Sequence, residues 1–202
     1  MLQIILKELF TFDLILEVLA SVCSITYSLL LMREKIVGWI FGIISSILSI
    51  LLFYHTRLYA QSIISIYYAG IGVYGWIYWY RAQQKNEHVH KWNPMDHIKF
   101  ISLFSVVSLL MYTLFIKYTD ANMPLLDSFI TSFGFLASIK EARKILSSWI
   151  YWFVINLLSA ILYYSQGLNI YAVLMILYAG ICVPGYYSWL ALYKKSISKE
   201  AL

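Results

Sequence analysis

Tyr68-Ala69-Gly70-Ile71, followed by Val73, Gly75 and Trp79, recurs 110 residues later as Tyr178-Ala179-Gly180-Ile181, Val183, Gly185 and Trp189. The same offset, without a gap, lays Trp39 on Trp149, Ser49 on Ser159, Leu58 on Leu168 and Arg33 on Arg143, and it pairs Glu17 with Asp127. Apolar segments resemble one another by composition alone. Composition does not, however, put Gly, Trp and charged residues in step over three successive segments. The chain reads as two copies of one unit with a connecting segment between them.

The units are made of apolar runs close to the roughly 17–25 residues that cross a hydrocarbon core. The runs fall at 12–32, 36–54, 59–80, 98–118, 124–139, 145–164 and 170–193, the fifth being short. Connections are tight, as at Arg33-Glu34-Lys35 and Ser165-Gln166-Gly167, except for a polar stretch from Arg81 to His97. In lipid such spans must be helices, because an open strand edge leaves backbone groups unpaired. The expected fold is an all-α membrane protein of seven transmembrane helices in a 3+1+3 parallel repeat. A first three-helix bundle covers 12–80, a polar loop and linker helix 81–118, and a second bundle 124–193. Three helices repeated directly would be inverted in the membrane. The fourth span turns the chain around, so both units point the same way, an arrangement typical of transporters that rock about a central site.

Composition agrees. Hydrophobic residues make up 61% of the chain and charged ones 12%, half of the ~25% usual in soluble domains. Aromatics reach 18%, as expected where amphipathic rings collect at membrane interfaces. The net charge of +5 forms no stripe that would track a nucleic acid, because the basic residues sit in short loops between apolar runs. Of the 15 Lys and Arg, only Lys7, Arg57 and Lys117 fall on one side of the membrane, and the other 12 fall opposite. Positive residues stay in the cytoplasm, so the N-terminus is expected outside and the C-terminus inside. Cys23 and Cys182 both fall in apolar spans and are expected as free thiols. The first apolar run, broken by Lys7, Glu8 and Asp13, is not expected to act as a signal peptide.

Sparse polarity inside the spans marks the candidate site. Trp149-x-x-Trp152-x-x-x-Asn156 places three side chains on one helical face. Asn156 is costly against lipid, and two Trp rings beside it suit a flat or cationic ring. The alternative is an interfacial Trp belt and an interhelical Asn bond. The matching second span offers Trp39, Ser45, Ser46 and Ser49, which either line a path or let helices approach closely. Tyr67, Tyr68, Tyr74 and Tyr178 are further cavity candidates. Glu17 and Asp127 are intramembrane acids, read either as functional charges or as interhelical ties. His88-Val89-His90 lacks the remaining ligands of a metal site, so no metal and no cofactor is expected. No nucleophile motif or phosphate-cradling loop suggests an enzyme.

These residues resemble the PnuC family of vitamin transporters. The resemblance runs from Glu17 to about Lys194. It rests on Trp39-x-Phe41-Gly42-Ile43, on Leu58-Tyr59-Ala60 with Tyr74-Gly75-Trp76-x-x-Trp79, on Asp127-Ser128, and on Trp149-x-x-Trp152-x-x-x-Asn156. It implies a fold like a full-length SWEET sugar transporter, a homotrimer in membrane lipid, and facilitated diffusion of an unphosphorylated vitamin, most often nicotinamide riboside. A cytosolic kinase then traps the product. The resemblance puts Trp149, Trp152 and Asn156 in the substrate site, with residues of the third span opposite. The full candidate set adds Trp39, Ser46, Ser65 and Tyr68. Many riboside carriers have Gln where this chain has Ser65, and the residue after Ala60, here Gln61, varies among members. Thiamine or riboflavin are therefore the alternative substrates, and Trp stacking does not separate thiamine from the riboside, since both carry a cationic ring. A SWEET-type sugar carrier and a membrane-embedded enzyme or assembly protein are the competing classes.

Overall fold

A backbone inside lipid must close its own hydrogen bonds, and this chain does so with helices. The computed structural model describes residues 12–57, 59–119 and 122–200, leaving aside the side chains of 59, 60, 170, 199 and 200. Lys7, Glu8 and Leu58, named above from the sequence, and the side chain of Lys199, lie outside the described residues. Seven helices occur among those residues: α1 (Phe12–Met32), α2 (Gly38–His55), α3 (Tyr59–Gln84), α4 (Pro94–Tyr118), α5 (Pro124–Ala142), α6 (Ser148–Ser165) and α7 (Asn169–Glu200). The all-helical character and the number of helices match expectation.

Boundaries moved where local chemistry was decisive. The helix α4 begins at Pro94, four residues before the apolar run, because Asn93 caps it: its side chain accepts from the Asp96 amide at 2.8 Å. Pro94 fits the first helical turn, where its missing N–H costs nothing. The start of α6 is later than expected because Lys144, at φ +54°, closes a turn first. Four residues beyond 80 complete α3, so the polar loop shrinks to 85–93. That loop is pinned: the His90 amide donates to Lys144 O at 3.1 Å and the Leu146 amide to His90 O at 2.9 Å.

The chain divides into two compact units, the first ending at Gln84 and the second beginning at Lys85. In the first, α2 packs on both α1 and α3. Ser45 Oγ donates across to Ala20 O at 2.8 Å, and Ser62 Oγ to Ile50 O at 3.2 Å, so two hydroxyls stitch the helices together. In the second, α5 packs between α4 and α6, and α6 packs on α7.

Among the described residues, five of the seven helices are long and apolar enough to cross a membrane by length and composition, α1, α2, α4, α6, and α7 over Tyr171–Ser198, while α3 and α5 are not. The fifth helix falls short because it is polar, and its packing explains how that is tolerated. Ten of its residues are buried, including Ser128, Ser132, Ser138, Lys140 and Glu141. Ser132 and Ser138 turn their hydroxyls back to carbonyls of their own helix, at 2.7 and 2.8 Å, and so leave no unpaired donor. By contrast α4 buries only Phe104 and Ser108 and exposes Ile98, Ile101, Val106, Leu110 and Leu114, an apolar surface suited to lipid.

The two units are built on the same tryptophan contact. Trp39 packs edge-on to Trp79 with centroids 5.6 Å apart, and Trp149 packs edge-on to Trp189 at 5.5 Å. A Cβ on Gly75 would lie 2.5 Å from the Trp39 ring, and one on Gly185 2.5 Å from the Trp149 ring. The turns agree too. Glu34 and Lys144 both have φ +54°, and the Lys35 and Ile145 amides each reach back five residues, to Leu30 O and Lys140 O, at 2.9 Å.

Candidate functional site

The tryptophans nominated from the sequence separate into two kinds. Trp39 and Trp149 are 1% and 3% exposed and serve as the core wedges just described. Trp152 is half-buried and sits one turn further along α6. Its indole Nε1 donates to Glu141 Oε2 at 3.1 Å, which ties α6 to the end of α5. Four residues on, Asn156 points its amide at Cys182 of α7, with Nδ2 3.7 Å from Sγ. Sulfur is a weak acceptor, so this contact leaves most of the amide's hydrogen-bonding capacity for another partner. Glu141 is also within electrostatic reach of the Cys182 thiol. Four groups thus converge inside the second unit: the Glu141 carboxylate, the Trp152 ring, the Asn156 amide and the Cys182 thiol.

The remaining candidates lie elsewhere. Ser46 Oγ donates to Gly42 O at 2.9 Å and Ser65 Oγ to Gln61 O at 2.8 Å, each within its own helix. Tyr68 packs edge-on to Tyr67, centroids 5.4 Å apart. With Trp39 and Glu17, these belong to the first unit. Glu17 is half-buried in α1. Asp127, in the first turn of α5, is bonded by the Thr131 side chain and lies near Tyr163. Position in the helix-start turn suits a carboxylate, since the free amides there carry positive partial charge.

Two groups were not anticipated. Glu141 is one. Lys140 is the other: it is 0% exposed, and its ammonium lies 3.5 Å over the Tyr151 ring, 4.5 Å over Trp92, and 3.4 Å from His97 Nδ1. Tyr151 OH is 3.0 Å from the same His97 nitrogen. A cation between two ring faces is favoured by their electron density. Beside this cluster a cavity of ≈ 130 Å³ is lined by Lys91, Trp92, His97, Ser147 and Tyr186. That is well below the ~300 Å³ at which small-molecule sites begin, so it does not compete as the substrate site.

Helices long and apolar enough to cross a bilayer place the chain in the class of integral membrane proteins. The chain belongs to the nicotinamide mononucleotide transporter family, which it matches over residues 14–191. That membership makes it a transporter of the bacterial inner membrane and not an enzyme. Two curated relatives named "Nicotinamide riboside transporter PnuC", from Escherichia coli (strain K12) and Shigella flexneri, are each 25% identical, over 78% of this chain and 77% of theirs. A solved structure, "Crystal structure of the Vitamin B3 transporter PnuC", superposes with a TM-score of 0.73 at 18% identity. It covers 94% of this chain and 86% of that one. That likeness is one of fold.

Proposed function

We propose that the chain carries unphosphorylated nicotinamide riboside across the membrane by facilitated diffusion. The two three-helix bundles, 12–80 and 124–193, would rock about a central site, with 81–118 linking them in a SWEET-like parallel repeat. A cytosolic kinase would phosphorylate the solute, whose added charge prevents return. The protein would work as a homotrimer with its N-terminus outside.

The observation that carries this reading is the Trp152–Asn156 pair on α6, held beside Glu141 and Cys182. A ring face and an amide with spare capacity match a flat heterocycle bearing a carboxamide. The family is described by the mononucleotide and the curated relatives by the riboside. The riboside fits better, because the mononucleotide's phosphate would bring about −1.5 to −2 charges toward the Glu141 carboxylate.

Calorimetry of the purified chain with nicotinamide riboside, thiamine and riboflavin tests the substrate. Micromolar binding of the riboside alone supports the reading, and binding of thiamine alone moves the same mechanism to that vitamin. Ser65 favours keeping thiamine in the comparison, since its hydroxyl is spent on its own helix. Asn156→Ala should weaken binding about tenfold, the scale of removing one hydrogen bond from a buried site. Uptake into liposomes should be saturable and unaffected by ATP or a pH gradient. Competition by glucose or sucrose would point to a sugar carrier instead.

A further inference from the structure

The two halves of the chain share their tryptophan wedges and the glycines against them, Trp39, Gly75 and Trp79 matching Trp149, Gly185 and Trp189, but differ at most other positions. At the 110-residue offset, Leu30-Leu31 becomes Lys140-Glu141, Gly42 becomes Trp152, Ser46 becomes Asn156 and Gly72 becomes Cys182. Leu31 is 0% exposed and Glu141 4% exposed, so equal burial serves a hydrocarbon in one unit and an acid in the other. Leucine at this turn is sufficient for packing. A buried acid there carries a desolvation cost that a hydrocarbon does not. Four of these changed positions are linked in space: Trp152 bonds Glu141, Asn156 bonds Cys182, and Glu141 acts electrostatically on Cys182.

We propose that Glu141 is the specificity-determining charge of the substrate site, selecting solutes whose flat ring is cationic. The proposal rests on the reading that Trp152 and Asn156 hold the substrate. The Glu141 carboxylate is fixed at the edge of the Trp152 ring by the 3.1 Å bond from Nε1. Donation of that N–H to an anion enriches the indole face, which strengthens its attraction for a cation stacked on it. The carboxylate adds a direct Coulomb attraction for a cation stacked there, little screened because Glu141 itself is buried. Lys140, the adjacent cation, does not cancel this, since its ammonium faces Trp92, Tyr151 and His97.

The test compares nicotinamide riboside with its 1,4-dihydro form, which has nearly the same shape and an uncharged ring, by calorimetry on the purified full chain. The unaltered protein should bind the cationic form at least about tenfold more tightly, and Glu141→Gln should lose that factor for the cation while changing the neutral form less than about threefold. Glu141→Asp, which keeps the charge, should retain the preference. Equal affinity of the unaltered protein for both ligands overturns the proposal without any variant. Equal losses for both ligands in Glu141→Gln also overturn it, since Glu141 would then only hold Trp152 in place. Trp152→Ala and Asn156→Ala, titrated alongside, separate the two levels. Unchanged riboside binding in both sinks the site itself, whereas dependence on Trp152 without a charge preference sinks only the role of Glu141.

Discussion

At the residue scale, Gly75 and Gly185 have no room for a methyl group, while Gly70 and Gly180 have nothing within 4 Å of a Cβ. The blocking atoms belong to Trp39 and Trp149, and neither ring has an easy retreat, because Trp79 and Trp189 stand against them. Gly75→Ala and Gly185→Ala should each destabilise by about 1–3 kcal/mol, as overpacking does. Gly70→Ala and Gly180→Ala should be neutral or stabilise by up to about 1 kcal/mol, through helix propensity. Thermal unfolding of the four purified variants decides the matter, and equal behaviour of all four would remove the wedge. The same contacts explain what the sequence disclosed of the site. Trp39 and Trp149 align with each other, and both are buried between a glycine and a second tryptophan. Trp152 and Asn156 have no counterpart in the first half and lie in the polar cluster. Glu141 went unremarked because an acid beside Lys140 and Arg143, at the end of an apolar run, reads as a loop charge. Only the fold shows that it is buried and bonded by Trp152 of α6.

At the element scale, the helix ends depend on a few backbone states. Gly167 leaves α6 at φ +77°, with open space around it, and Arg57 leaves α2 at φ +62°. A side chain in this left-handed region costs about 1–2 kcal/mol. Gly167→Ala should therefore lower stability by about that much, whereas Arg57→Gly should relieve it, less the extra freedom glycine gives the unfolded chain. Opposite shifts in melting temperature are the expected result. Likewise Asn93→Ala should cost about 1 kcal/mol by removing the cap of α4. Hydrogen exchange should rise in the first turn of α4 and in the docked loop 85–93, and not in α5. Helix number and order were legible because apolar length is a coarse signal that lipid enforces. The ends were less so, because apolarity does not register caps or positive-φ turns. Asn93-Pro94 was a start written in sequence, as Pro124 was for α5, but it lay outside the apolar run.

At the scale of the whole molecule, the charges make a claim that the helices alone do not. If the seven helices each cross the membrane, successive loops alternate sides. The polar loop 85–93, the turns at 33–37 and 143–147, and the C-terminal end of α7 then fall together, with 12 of the 15 basic residues. Translocating Lys and Arg is disfavoured, so that side should face the cytoplasm. The prediction is tested by placing single cysteines on opposite sides and labelling intact cells with a membrane-impermeant maleimide. The native thiols are manageable: Cys182 is buried and Cys23 half-buried, both inside apolar helices, and both can be replaced by serine beforehand. Thr56→Cys, in the exposed turn after α2, should be labelled in intact cells. Glu87→Cys, in the exposed polar loop, should be labelled only after permeabilisation. Reversal of the two would invert the molecule in the membrane. Labelling of both from outside would mean that α3, the helix between these sites, does not cross, in keeping with its lack of a sufficiently apolar stretch.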